Sequence, residues 1–214
     1  MNALKLLQTM IRDKFKETGT DKHIHGYHKH YGKLFDFFQI DTVLEIGILH
    51  GWSLISWRNI VGDIPNKTGV YGIDIRMPLD TAEDQMKAMG IHYLYGVDSV
   101  KKNRVYDPAA LLGKRWFSPE EPLKWSLSMI VDDGSHKLDD QIATFKNFRG
   151  HWRHCYVIED VLGPENLEAL GKVIKEFRYD YQAHRSERYA NDPTKELYMV
   201  IVYRPGTGYG NAYS

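Results

Sequence analysis

Apolar residues recur along this chain with two periods. Leu4, Leu7, Ile11 and Phe15 stand at helical spacing, which predicts an amphipathic helix over residues 3–17. Gly19-Thr20 ends it, and a polar, histidine-rich stretch leads into a short helix around Tyr31–Phe38. Compact apolar runs then alternate with helical patterns. Strands are expected at Thr42–Gly47, Val70–Asp74, His92–Val97, Ser128–Asp132 and His154–Glu159. Helices are expected at Gly51–Ile60, Thr81–Met89, Leu138–Phe148 and Glu165–Phe177. Residues 103–125 read as irregular, broken by Pro108, Pro119 and Pro122. Two aromatic and β-branched runs close the chain, near Tyr179–His184 and Leu197–Tyr203, with a turn signal at Asn191-Asp192-Pro193 between them.

Strands alternating with helices imply a parallel sheet. The last two strands have no helix between them, so they form a hairpin that inserts one antiparallel strand at the sheet edge. The expected fold is α/β and Rossmann-like, with five parallel βα units plus a C-terminal β-hairpin. Residues 1–40 would supply N-terminal helices and a lid, and residues 41–214 a single catalytic domain.

The candidate chemistry lies at strand ends, which line the ligand crevice of an open α/β sheet. Met129-Ile-Val-Asp-Asp-Gly-Ser-His136 ends one buried strand, and Glu159-Asp160 closes the apolar run Cys155-Tyr-Val-Ile. Carboxylates and an imidazole at one rim suggest an oxygen-ligated metal beside a general base. A single strand-end aspartate such as Asp132 or Asp133 also serves as a helix cap. Val43-Leu-Glu-Ile-Gly-Ile-Leu-His-Gly51 places Glu45, Gly47 and Gly51 in an E-x-G-x-x-x-G pattern. Glycine after a strand permits a tight turn and a close ligand. The pattern is not the G-x-G-x-x-G of a pyrophosphate binder, so a ligand without phosphates such as S-adenosylmethionine fits better. Asp74 ends the next strand, where a carboxylate can accept from both ribose hydroxyls.

Composition narrows the field. The chain has 214 residues with 28 basic and 28 acidic side chains, so it lacks the basic footprint of a nucleic-acid binder. Cys155 is the only cysteine, which excludes a disulfide framework and suits a cytoplasmic protein. No apolar run is long enough to span a bilayer. His23, His25, His28 and His30 cluster without a nearby cysteine, which disfavours zinc. They read as a solvated active-site lid with Tyr27 and Tyr31 beneath it. Trp52, Trp57, Phe145, Phe148 and Trp152 fall at helix-core positions, whereas Trp116 and Trp125 suit either an acceptor pocket or core filling.

Gly19-Thr-Asp-Lys22, Val43-Leu-Glu-Ile-Gly47, Tyr71-Gly-Ile-Asp74, Ile130-Val-Asp-Asp-Gly-Ser-His136 and Tyr156-Val-Ile-Glu-Asp160 resemble the macrolide-sugar O-methyltransferases of the macrocin and mycinamicin type. The element order is also that of the class I methyltransferases. The resemblance runs from about Gly19 to Tyr203 and implies dependence on S-adenosylmethionine and Mg2+, or Mn2+. It implies metal ligation by Asp133, Glu159 and Asp160, with His136 as the base. It also implies that the loop carrying Thr20 and Asp21 folds over the cofactor. At the third strand Gly96-Val-Asp-Ser99 replaces the family's Gly-x-Gln type motif, which leaves Asp98 as the candidate for the adenine contact. The additional N-terminal domain of some members has no counterpart here, so their assembly and acceptor pocket do not transfer. The expected activity is methyl transfer to a hydroxyl of a sugar or sugar-bearing small molecule, with homo-oligomerisation left open. A metal-dependent hydrolase and a non-catalytic cofactor-binding module are the alternatives.

Overall fold

The computed structural model describes residues 2–62, 69–76, 82–101, 127–192 and 194–213. The expected irregular segment with Trp116 and Trp125, and Pro193 of the expected turn, lie outside the described residues.

Helix α1 (Ala3–Thr18) starts at Asn2, whose side chain accepts from the Lys5 N–H at 2.9 Å, and stops at Gly19 in the left-handed conformation. Helix α2 (Tyr27–Phe37) follows, then β1 (Thr42–Ile46), α3 (Trp52–Val61), β2 (Gly69–Asp74), α4 (Glu83–Ala88) and β3 (His92–Tyr95). Beyond the undescribed segment come β4 (Leu127–Asp132), α5 (Leu138–Phe148), β5 (Trp152–Leu162), α6 (Gly163–Glu176), β6 (Asp180–Arg185), β7 (Leu197–Tyr203) and a final turn of helix, α7 (Tyr209–Ala212).

The seven strands form one sheet in the order β3-β2-β1-β4-β5-β7-β6. Pairs among β1 to β5 are parallel, and β7 runs antiparallel to both β5 and β6. The hairpin therefore does not place its antiparallel strand at the extreme edge: β7 is inserted one strand in. The reason lies in the side chains. Leu197, Met199, Val200, Ile201 and Val202 of β7 need cover on both faces, whereas Asp180, Gln182 and Arg185 of β6 tolerate an open edge.

Side chains alternate between the two faces of the sheet. Val43, Met129, Val131, Val157 and Ile201 meet Ile11, Phe15, Tyr31, Leu34 and Trp57 from α1, α2 and α3. Leu44, Ile46, Ile130, Tyr156, Ile158 and Val200 meet Phe145, Phe148, Leu170 and Ile174 from α5 and α6. Each buried aliphatic or phenyl group contributes about 1.5–3 kcal/mol.

Two expectations about the N-terminal region are corrected. Helix α2 begins at Tyr27, four residues before the expected start, because Gly26 turns the chain at φ 78°. The histidines are also not a solvated lid. His25 and His28 are buried, and the His30 ring stacks on His184 of β6 at 3.8 Å. Trp57, Phe145, Phe148 and Trp152 are buried as expected, although Trp152 sits in β5 rather than in a helix; Trp52 is 39% exposed.

Candidate active site

The C-terminal ends of β1, β2, β4 and β5 and the loop after α1 border a cavity of about 920 Å³. Thr20, Asp21, Gly47, Asp74 and Asp98 line it, together with Asp133, His136 and Asp160. Glu45, Gly51 and Glu159, also expected at the site, are not on its wall.

The glycine loop is built by close backbone contact. Gly47 has φ 97°, and a Cβ there would lie 2.1 Å from the Asp133 carbonyl oxygen. The Gly47 N–H donates to the Ile73 carbonyl at 2.9 Å, and the Asp133 N–H donates to the Ile46 carbonyl at 2.8 Å. Asp74 braces the same loop. Its Oδ2 accepts from the N–H groups of Ile48 at 2.8 Å and Leu49 at 3.1 Å, and its Oδ1 from that of Arg76 at 2.9 Å. Gly51 serves packing instead: a Cβ there would meet Met86 Sδ at 2.7 Å. Asp98 caps the turn after β3, accepting from the N–H groups of Val100 and Lys101.

The acidic rim has two tiers, and strand alternation creates them. Glu45 shares a face with Val43, and Glu159 shares one with Val157, so both point under α1 and α2. There they meet Lys22, which is 2% exposed. The Lys22 ammonium lies 3.2 Å from Glu45 Oε1 and 2.8 Å from Asp133 Oδ2, and it donates to Glu159 Oε2. Tyr31 donates to Glu159 Oε1 at 2.5 Å, and Ser53 to Glu45 Oε2 at 2.5 Å. Burial opposes the charge on Lys22, but the carboxylates around it hold its pKa well above the ordinary lysine value. Glu159 is therefore turned away from the rim where a metal ligand was expected. Lys22 went unnoticed in the sequence because a loop lysine reads as solvated; its place in Gly19-Thr-Asp-Lys22 was the available signal.

The upper tier faces the cavity. Asp160 follows the register shift between Ile158 and Val161 and has φ 56°, which turns its side chain onto the rim. Tyr27 donates to Asp160 Oδ1 at 2.6 Å. His136, at φ 58°, places Nε2 3.1 Å from Asp133 Oδ1 and Nδ1 4.0 Å from Asp160 Oδ2. The hydrogen bond to Asp133 raises the His136 pKa. Burial alone would raise Asp133, yet Lys22 and His136 hold it below the usual carboxylate range. Asp132 points to the opposite face, where burial pushes it up to about 7 despite a hydrogen bond from Tyr156 at 3.2 Å.

One donor atom from each of Asp133, His136 and Asp160 can be chosen so that all lie within 4.8 Å of one another. The two carboxylates suit magnesium or manganese, and the imidazole beside them can serve as a base. The charge balance also fits, because Glu45, Asp133 and Glu159 share the single Lys22 ammonium and Asp160 adds a further carboxylate at the rim. At the entrance Asp21 Oδ2 lies 3.2 Å from His25 Nε2 and 3.3 Å from Arg188. Thr20 contributes a carbonyl 2.7 Å from His23 Nδ1. No helix among the described residues is long and apolar enough to cross a membrane.

The sheet order, the reversed β7 and the crevice at the strand ends define the class I methyltransferase fold. Within it the chain resembles MycE, a methyltransferase of the mycinamycin biosynthetic pathway solved with Mg and SAH. The identity is 21% over 91% of this chain, with a TM-score of 0.59, and the chain spans 55% of MycE. A MycE complex with Mg, SAH and mycinamycin VI matches at 25% identity over 70% of this chain and 36% of that one, with a TM-score of 0.50. The O-methyltransferase TomG from Streptomyces achromogenes, solved with SAM, matches at 12% identity over 95% of this chain and 91% of its own, with a TM-score of 0.55. No family model and no curated protein sequence matches the chain.

Proposed function

We propose that this protein transfers a methyl group from S-adenosylmethionine to a hydroxyl oxygen of a small molecule, with a divalent cation at the carboxylates of Asp133 and Asp160 and His136 as the general base. The supporting observation is that one cavity of about 920 Å³ joins the Gly47–Asp74 side to the Asp133, His136 and Asp160 rim. That volume suits a cofactor and an acceptor held together.

Each side of the cavity has a role in this reading. Asp74 retains acceptor capacity beyond its three backbone partners and would bind the ribose hydroxyls. Thr20 and Asp21 would close over the cofactor, and Asp98 would meet its base. When bound, S-adenosylmethionine supplies a methyl group on an activated sulfonium, and the cation stabilises negative charge developing on the acceptor oxygen. His136 would take the hydroxyl proton as the carbon–oxygen bond forms and the carbon–sulfur bond breaks, its electron pair passing to sulfur. It must be neutral to do so, and Asp133 orients the ring through Nε2. The residues would otherwise serve to hold oxygen, carbon and sulfur in line. A sugar or sugar-bearing acceptor suits the polar rim, where Ser135, Asp140 and Gln141 also line the cavity. The reduced, buried Cys155 accords with work in the cytosol.

Calorimetry with S-adenosylhomocysteine tests the reading. The wild type should bind it, and Asp74→Ala should weaken binding by about 1–3 kcal/mol. Absence of binding would return the acidic rim to the hydrolase alternative.

A further inference from the structure

We propose that Ser186 is a positioning residue for the cofactor. From the connection between β6 and β7 it anchors His25, and through His25 it holds the loop of residues 19–26 against the cavity. The proposal rests on the reading of Thr20 and Asp21 as residues that close over the cofactor. It goes beyond that reading by naming what sets the loop.

The contact joins parts of the chain 161 positions apart. Thr20 and Asp21 line the cavity, whereas residues 186–189 lie off its wall. Ser186 and His25 are 1% and 4% exposed, and Ser186 Oγ lies 3.0 Å from His25 Nδ1. Asp160 Oδ1, 3.9 Å from the same nitrogen, is beyond hydrogen-bond reach. The backbone closes beside the pair, the Glu187 N–H donating to the His25 carbonyl at 3.0 Å. Ser186 Oγ also accepts from the Arg188 N–H at 3.3 Å, which fixes the single 3-10 turn Glu187–Tyr189. On the other side of the imidazole, Nε2 lies 3.2 Å from Asp21 Oδ2 and 3.2 Å from the Arg188 guanidinium. The ring thus links buried Ser186 to Asp21 at the cavity entrance. Gly26 allows the approach: it has φ 78°, and a Cβ there would lie 2.6 Å from Glu187 Cδ.

Burial ranks these contacts. Arg188 and Asp21 are exposed, so solvent screens their pairing. Losing the Ser186 hydroxyl instead orphans a buried imidazole nitrogen, which is the more costly event. A loop that is closed only part of the time lowers affinity by that fraction.

Hydrogen exchange and calorimetry with S-adenosylhomocysteine test the assignment. In the wild type the ligand should slow exchange in residues 20–26 and, through the shared contacts, at the Glu187 amide. Ser186→Ala should speed exchange in residues 20–26 and weaken S-adenosylhomocysteine about tenfold, as the closed fraction falls to about one tenth. Arg188→Met, which removes only the exposed pair, should weaken it about twofold or less. Wild-type affinity in Ser186→Ala would overturn the proposal, because a merely structural serine lowers the unfolding midpoint and leaves binding by the folded protein unchanged. A larger loss in Arg188→Met than in Ser186→Ala would overturn it as well. So would ligand protection confined to residues 20–26 of the wild type, a measurement that stands even where Ser186→Ala does not fold. Wild-type protein that binds no S-adenosylhomocysteine overturns the cofactor reading itself, a result seen before any variant is made.

Discussion

At the scale of single residues, conformation and chemistry are tied together at the rim. Gly47 is fixed by both its φ of 97° and the Asp133 carbonyl 2.1 Å from where a Cβ would sit. Gly47→Ala should therefore cost about 1–3 kcal/mol from overpacking alone, and chemical denaturation checks it. Cofactor binding should fall as well, because the shift would pass directly to Asp133. His136 has a kinetic signature. As the base, His136→Ala should lower kcat by about 10²-fold with S-adenosylhomocysteine affinity nearly unchanged. Single-turnover methyl transfer with an accepted substrate reads this, and near-normal turnover would assign proton removal elsewhere. The candidates Asp133, His136 and Asp160 were legible in the sequence as residue types at strand ends. Their partner Lys22 was not, since it lies 111 and 137 positions from Asp133 and Glu159. Local pattern carries no information about a contact of that span.

At the scale of elements, the contact between α2 and β6 carries a pH response. His30 and His184 stack at 3.8 Å, and neither His30 Nδ1 nor His184 Nε2 has a hydrogen-bond partner. Burial, and then the neighbouring His184 and Lys33, push His30 down to about 3; burial and Lys33 push His184 down to about 4. The unfolded chain protonates both near the ordinary value of about 6.5, while the folded chain resists. The stability from this pair is full above that value and is lost as pH falls from it toward 4. His30→Phe keeps a ring for stacking and should flatten the slope between pH 6.5 and 4. Urea denaturation across that range, taken as variant minus wild type, isolates the pair from the carboxylates. An unchanged slope would remove the pair as the cause. The start of α2 belongs to this scale too. A polar, histidine-rich stretch masked a helix whose buried face, Tyr27, Tyr31 and Leu34, is set by what it packs against.

At the scale of the whole molecule, the two ligands should separate in their effects. Chelator should abolish turnover while S-adenosylhomocysteine still binds, because Asp74 ends β2, which β1 separates from the strands that carry Asp133 and Asp160. Added magnesium should restore turnover. At a hundredfold excess over its dissociation constant, S-adenosylhomocysteine should stabilise the fold by about 2.7 kcal/mol, with chelator present or absent. Calorimetric scans and a methyl-transfer assay check the two halves. Full turnover in excess chelator would reduce the three rim residues to acceptor binding and orientation.

The sequence by itself determined the order of elements and the βα alternation, because hydrophobic period is a local property of the chain. It also determined the strand-end positions of Gly47, Asp74, Asp133 and Asp160, since turns and acidic residues closed each apolar run. Only the tertiary structure decided that β7 lies inside β6, because strand order is set by pairing with the distant β5, although the apolar run Leu197–Tyr203 already differs from the polar positions Asp180, Gln182 and Arg185. The tertiary structure alone also decided which carboxylates face the cavity. Alternation sends Glu45 and Glu159 beneath the N-terminal helices, and the register shift after Ile158 turns Asp160 back to the rim. Lys22 stays charged in that interior because three distant parts of the chain each bring it a carboxylate.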